Sequence, residues 1–212
     1  MVYHSDLLKK VVESGHAEHI SLHYNTNGSI RPDETIFNMW QEFKSCEVMF
    51  SIDGTFKKFE YMRHPAKWDE VWDNYNYFKS LDWMYVQVCH TVSLYNIYYL
   101  DEFIDMFGRE NIYLNLLHFP RQYCVRNMPD VCKKQVEDKL INIPDMKDII
   151  SFMWQESNFD KLDLGFLPVT DRLDDLRNES YSEIFSEFYR ILIDGGIGRE
   201  PWNPKQYFGQ IS

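Results

Sequence analysis

Four segments of the chain alternate apolar and polar side chains with the two-residue period of a β-strand, at residues 19–25, 46–52, 83–92 and 112–117. In each segment the more polar positions fall on one face, at Ser21, His23, Asn25, Met49, Ser51, Asp53, Tyr85, Gln87, Cys89, Thr91, Tyr113 and Asn115. Strands of a parallel sheet covered by helices normally read as continuous apolar runs. The repeated polar face therefore predicts a shared cavity, such as a barrel lumen, that holds a polar ligand.

Segments with helical spacing separate these strands, at residues 4–14, 32–43, 56–62, 68–78 and 98–107. The strand starts lie about 26 to 37 residues apart, which is the length of a βαβ unit. This spacing predicts four parallel strands with right-handed crossovers.

The pattern changes after Pro120, where no further strand is evident. Helices are predicted near 130–141, 145–156 and 180–193, linked by turns of the type N-x-P and G-F-L-P. The sequence thus predicts an α/β fold in two regions. Residues 1–120 form a partial (βα) barrel with about four parallel strands, and residues 121–212 form a mainly helical C-terminal extension.

Composition narrows the functional classes. The 212 residues carry a formal net charge of −11, which repels phosphate backbones, so nucleic acid is not an expected partner. No apolar run approaches the roughly 20 residues that span a bilayer, and the first residues carry charges where a signal peptide is apolar. We therefore expect a cytoplasmic protein without a membrane partner.

The carboxyl ends of the predicted strands are the places where parallel α/β proteins bind ligands. These ends read Y-N-T-N-G, F-S-I-D-G, V-C-H-T-V-S and L-N-L-L-H-F-P. Their hydroxyl and amide groups can hydrogen-bond ribose, carboxylate or amine groups. Each string by itself is also ordinary turn chemistry, so the prediction depends on their combination.

The order of these strings resembles the radical S-adenosylmethionine (SAM) superfamily, in particular its twitch or SPASM-type members. After Y-N-T-N-G come V-M-F-S-I-D-G, K-F-E-Y-M-R-H-P-A-K-W-D-E-V and T-V-S-L-Y-N. The later segment F-L-P-V-T-D-R-L-D-D-L-R-N-E-S is similar to the C-terminal part of twitch-containing relatives, so residues 121–212 are expected to be a twitch-like region. The resemblance covers about residues 5 to 193. It implies SAM as cofactor and modification of a peptide or protein through a 5′-deoxyadenosyl radical.

The resemblance also implies roles for individual residues. Ser51 and Asp53, in S-x-D-G, match residues that contact or support the SAM ribose. Thr26 and Asn27, in T-N-G, lie beside SAM in relatives. Arg63 matches an arginine that binds the SAM carboxylate, where a bidentate guanidinium–carboxylate pair is favourable. The ends of the last two strands cradle adenine, which implies Thr91, Leu117 and His118.

The chain departs from the family in one respect that governs its chemistry. The C-x-x-x-C-x-x-C loop that holds the family's [4Fe–4S] cluster and the G-G-E-P turn are both absent, and the four cysteines are widely spread. No metal site is predicted in their place. We expect that this chain alone does not cleave SAM, and whether it is itself an enzyme stays open at this point.

The missing motifs indicate that the chain corresponds to the rear two thirds of such an enzyme. A sheet of four strands leaves the first strand with an unpaired backbone edge. We expect this edge to be covered by a complementing N-terminal chain or by self-association. The alternative function is a non-catalytic α/β scaffold that binds a peptide or protein through its acidic surface.

Overall fold

A computed structural model describes residues 2–156 and 165–197. The chain divides into two compact units. The first comprises Met1–Thr91 and Ile104–Asn115, and the second comprises Val92–Phe103 and Leu116–Ser212. The division passes through two neighbouring strand ends and through one helix, so each unit contains two separate stretches of chain.

The sheet contains four strands in the order β1-β2-β3-β4, at Ser21–Thr26, Ser45–Ser51, Met84–Val92 and Ile112–Leu116. β1 pairs with β2, and β2 with β3, in parallel register. The predicted α/β class and the four parallel strands are confirmed. β1 lies at one edge of the sheet, because the strand order follows the chain order.

Five helices accompany the strands, and their positions agree closely with the hydrophobic periodicity. They are α1 Val2–Glu13, α2 Glu34–Gln41, α3 Phe56–Met62, α4 Trp68–Lys79 and α5 Leu100–Phe107. Helix α2 begins after the N-cap residue Asp33, whose carboxylate accepts a hydrogen bond from the backbone N–H of Ile36 at 3.1 Å. Such an N-cap satisfies one of the donors that the first turn of a helix leaves unpaired.

The core of the first unit lies between the helices and the apolar face of the sheet. Trp40 of α2 packs on Tyr24 of β1, with ring centroids 4.8 Å apart. Phe78 of α4 lies 5.2 Å from Phe50 of β2, and Phe37 of α2 lies 5.3 Å from Phe78. The aromatic residues at helical spacing are therefore core residues, which leaves the opposite face of the sheet for the polar side chains.

The second unit contains helices α6 Asp130–Leu140, α7 Lys147–Trp154, α8 Phe166–Arg177, α9 Tyr181–Ile184 and α10 Ser186–Asp194. Helix α8 begins where a G-F-L-P turn was expected, and that prediction is wrong. Pro168 lies in the first turn of α8, where its missing N–H removes no intrahelical hydrogen bond. The predicted helices near 130–141, 145–156 and 180–193 match α6, α7 and the pair α9 and α10.

The core of the second unit is aromatic and contains buried hydroxyl groups. Tyr95 packs on Phe166 with ring centroids 5.0 Å apart, and its hydroxyl lies 2.8 Å from Thr170 Oγ1. Tyr98 stacks on Phe188 of α10 at 5.1 Å. Burial raises the pKa of both tyrosines, so their phenols stay protonated and serve as hydrogen-bonding core groups.

Candidate functional site

The polar strand positions lie together on one face of the sheet, which we call the polar face. Parallel register aligns them in rows, namely Ser21 with Ser45, His23 with Glu47 and Tyr85, Asn25 with Met49 and Gln87, and Ser51 with Cys89. In two of these rows, a side-chain hydrogen bond joins β1 to β2. His23 Nδ1 lies 2.8 Å from Glu47 Oε2, and Ser45 Oγ donates to Ser21 Oγ at 2.8 Å.

The polar face is accessible along much of the sheet. Tyr85 of β3 is 56% exposed and Tyr113 of β4 is 55% exposed. Along β3 the polar positions are exposed or half-buried, while the residues between them are buried. One side of this parallel sheet therefore presents polar side chains that a ligand or another segment can contact.

Asp53 follows β2 and connects the carboxyl ends of two strands. Its Oδ1 accepts a hydrogen bond from the backbone N–H of Thr91 at 2.8 Å. The N–H of Ile52 donates to the carbonyl of Cys89 at 3.3 Å and extends the contact between the strands. The Asp53 side chain is only 14% exposed, so its carboxylate is a largely buried anion that these contacts stabilise.

Arg63 lies at the end of α3 and supplies the positive charge beside Asp53. Its Nη2 lies 2.5 Å from Asp53 Oδ2, and the Arg63 side chain is 32% exposed. Its Nε is buried and has no hydrogen-bond partner among the described residues. The guanidinium therefore binds Asp53 through one nitrogen and keeps a further donor direction for another acceptor.

His90 lies buried near Asp53 and Arg63 and is not among the residues predicted from the sequence. Its side chain is 1% exposed, and Nδ1 lies 3.2 Å from the carbonyl oxygen of Ile52, to which an Nδ1–H can donate. Burial lowers the pKa of His90 to about 4, although the nearby Asp53 opposes this effect. The burial of His90 was predictable from the sequence, because its position alternates in step with Val86, Val88 and Val92 on the apolar face of β3.

In the T-N-G turn after β1, the threonine and asparagine side chains accept hydrogen bonds from nearby backbone N–H groups. Thr26 Oγ1 accepts the N–H of Gly28 at 3.0 Å, and Asn27 Oδ1 accepts the N–H of Ser29 at 3.1 Å. The carbonyl of Gly28 accepts a 2.6 Å hydrogen bond from Asn74 Nδ2 of α4. The predicted ligand residues Thr26 and Asn27 thus stabilise the turn, which a buried amide holds in place.

Ser51, Asp53, Arg63 and Thr91 all lie in the first unit. Ser51, Asp53 and Thr91 are at the carboxyl ends of β2 and β3, and Arg63 reaches Asp53 from the end of α3. The predicted residues Leu117 and His118 belong to the second unit. Leu117 donates its N–H to the carbonyl of Val92 at 3.1 Å, and the His118 ring packs edge-on against Phe152 at 4.9 Å. The adenine role of these two residues stays a prediction.

The four cysteines are free thiols in dissimilar surroundings. Cys46 is buried on the apolar face of β2, and burial raises its pKa to about 12. Cys89 is half-buried on the polar face. Cys124 and Cys132 are buried in the second unit, where burial raises the pKa of Cys132 to about 11. Within the described ranges, no three His, Cys, Asp or Glu side chains form a group that could hold a metal ion.

No protein-family model, curated protein or solved structure matches this chain. In the part of the chain that the structure describes, no helix is both long and apolar enough to span a membrane.

Proposed function

We propose that this chain is the rear portion of a radical SAM twitch-type enzyme and that it binds SAM. The observation that carries the proposal is the arrangement of Asp53, Thr91 and Arg63 beside an accessible polar face. In this reading the sheet is part of a (βα) barrel, and the polar face is the side that lines its lumen. The helices of residues 121–212 then form the twitch-like extension.

The donor and acceptor set fits the polar groups of SAM. The carboxylate of Asp53 and the hydroxyl of Ser51 can accept and donate hydrogen bonds with ribose hydroxyls. The buried Arg63 Nε can donate to the SAM carboxylate while Nη2 keeps its contact with Asp53. Asp53 then has two functions, because it contacts the ribose and orients the arginine.

SAM supplies the reactive 5′-deoxyadenosyl group in such enzymes only after an electron reaches it from an iron–sulfur cluster. The cysteines of this chain do not fit that cluster, because Cys46 is buried on one face of β2 and Cys89 lies on the opposite face of its neighbouring strand. We therefore propose binding of SAM and of a peptide or protein substrate by this chain, with no cleavage step on the chain alone.

A partner at the edge of β1 is the second part of the proposal. Among the described strands β1 is the last at its edge of the sheet, so one side of its backbone has no strand partner there. We propose that a complementing N-terminal chain or a second copy pairs there. Size-exclusion chromatography with light scattering tests self-association, and a monodisperse monomer at all concentrations argues against the second copy.

Calorimetric titration of the full chain with SAM tests the function. We expect wild-type protein to bind SAM, and Asp53→Ala and Arg63→Ala each to weaken binding by about tenfold or more, since a hydrogen bond to a charged group contributes about 1.5 to 3 kcal/mol. The exposed residues Asp82 and Arg190 provide matched controls as Asp82→Ala and Arg190→Ala. Folded wild-type protein that releases no heat with millimolar SAM rules the proposal out.

The net charge of −11 favours a second candidate, a non-catalytic scaffold that binds a basic peptide or protein. This function needs neither Arg63 nor SAM. Binding of a lysine-rich peptide that is unchanged by Arg63→Ala, in a protein that does not bind SAM, would favour the scaffold.

A further inference from the structure

Arg126 lies in a short 3₁₀ turn, Val125–Asn127, within the second unit. Its guanidinium carbon lies over the ring of Phe152, 5.2 Å from the ring centroid. The ring of His118 packs on the same phenylalanine at 4.9 Å, with the two planes inclined by 69°. Phe152 belongs to α7 and is only 6% exposed, so a fixed aromatic surface carries both nitrogen-rich side chains.

Arg126 has no acidic partner within the described residues, and its Nε is buried there without a hydrogen-bond acceptor. Two lysines of the second unit are paired with carboxylates. Lys139 Nζ lies 3.1 Å from Asp101, and Lys133 Nζ lies 3.5 Å from Asp130. The chain contains 33 acidic and 22 basic residues, so acidic partners are abundant. Arg126 differs from these two lysines in having no carboxylate partner among the described residues.

A buried donor without an acceptor costs about 1 to 3 kcal/mol, and such groups are tolerated where a ligand completes the hydrogen bond. Stacking on an aromatic ring restricts the guanidinium and preorganises its planar donors. An acceptor that reaches Nε can also reach a terminal nitrogen, which is the bidentate geometry that phosphate and carboxylate groups prefer.

We propose that Arg126 binds an oxyanion, the phosphate or carboxylate group of a ligand, through Nε and one terminal nitrogen. The inference goes beyond the proposed function, because Arg126 is outside the set that the radical SAM resemblance assigns. Oxyanion binding by the second unit also requires no SAM.

Nuclear magnetic resonance of the full chain tests this site through the Nε–H signal of Arg126 and the backbone signals of Phe152 and Asn127. Inorganic phosphate is titrated in one arm and N-acetylglycine in the other, with sodium chloride at equal ionic strength as the reference. A saturable shift with phosphate alone identifies a phosphate ligand, and a shift with N-acetylglycine alone identifies a carboxylate ligand. Saturable shifts with both support the shared oxyanion chemistry, and no saturable shift in either arm overturns the proposal.

Variants of Arg126 distinguish a specific oxyanion site from general electrostatic attraction of anions. Arg126→Gln is expected to abolish the saturable shift of Phe152, and Arg126→Lys, which keeps the charge but loses the bidentate fork, to weaken binding by about fivefold or more. The control Arg190→Gln removes one exposed charge and should leave the affinity unchanged. If Arg126→Gln does not fold, Arg126→Lys decides the result. Equal affinity in Arg126→Lys and wild type contradicts the proposal, whatever the outcome of SAM titration.

Discussion

The carboxylate of Asp53 accepts the backbone N–H of Thr91 at 2.8 Å and so joins the end of β2 to the end of β3. The same carboxylate carries the ion pair with Arg63. Two elements that are 38 residues apart in the chain therefore share one largely buried anion. This arrangement makes Asp53 a structural residue as well as a proposed ligand contact.

Asp53→Asn tests the structural part of this role. The amide keeps an oxygen for the Thr91 N–H but leaves the half-buried Arg63 without its counter-charge. We expect the free energy of unfolding in urea to fall by about 1 to 3 kcal/mol. The exposed Asp82→Asn loses the same charge and should change stability by less than about 0.5 kcal/mol. Equal losses in the two variants would show that Asp53 contributes only general charge.

The free energy of unfolding should depend on pH through the protonation of His90. Its folded pKa of about 4 lies below the unfolded value of about 6.5, so the unfolded chain takes up a proton first as the pH falls. The stabilising effect of the neutral imidazole is complete above about pH 6.5 and is lost towards pH 4, by up to about 3 kcal/mol.

His90→Gln isolates this effect, because glutamine keeps an N–H donor for the Ile52 carbonyl and does not titrate. Urea unfolding of both proteins between pH 4 and pH 7 gives the difference in unfolding free energy. We expect wild type to lose stability relative to His90→Gln as the pH falls. A difference that is constant across this range contradicts the assignment.

Gly28 and Gly15 form a natural pair for testing the T-N-G turn. Both have a positive φ, 75° and 72° respectively. A Cβ on Gly28 lies 2.8 Å from the Phe50 ring, whereas a Cβ on Gly15 meets nothing within 4 Å. Gly15→Ala should therefore cost about 1 kcal/mol from backbone strain alone, and Gly28→Ala about 1 to 3 kcal/mol more from overpacking against a buried ring. Thermal and urea unfolding measure both values, and equal costs would mean that the Phe50 contact relaxes freely.

The cysteines should react with iodoacetamide in an order set by burial. Cys89 lies half-buried on the polar face, although burial and the nearby Asp53 raise its pKa. Cys46, Cys124 and Cys132 are at most 2% exposed. Because the thiolate is the reactive form, we expect slow labelling of Cys89 at pH 8.5 and almost none of the other three before unfolding. Peptide mass spectrometry gives the order, and first labelling of Cys46 would contradict the described β2 environment. Labelling in 6 M urea is the control, since all four thiols then become accessible.

The sequence by itself determined the parts of this protein that depend on local periodicity. A two-residue alternation located four strands and the polar face, and helical spacing located α1 to α7 to within a few residues. These features are readable because the phase of burial repeats within each segment. Helix α8 is not predicted from the sequence, because the proline in its first turn resembles a helix breaker. A proline at that position is compatible with the start of a helix.

Only the tertiary structure decided which polar groups meet. The sequence indicated Asp53 and Arg63 as separate ligand contacts, and packing of α3 places them in one ion pair. In the sequence, His90 is one more position on the apolar face of β3. Only the fold shows that the carbonyl of Ile52, just after β2, lies within hydrogen-bond distance of its ring. Arg126 becomes notable only when α7 places Phe152 beneath it and its Nε is left without an acceptor among the described residues. Such contacts join residues far apart in the chain, so they depend on the packing of whole elements, and no local pattern contains them.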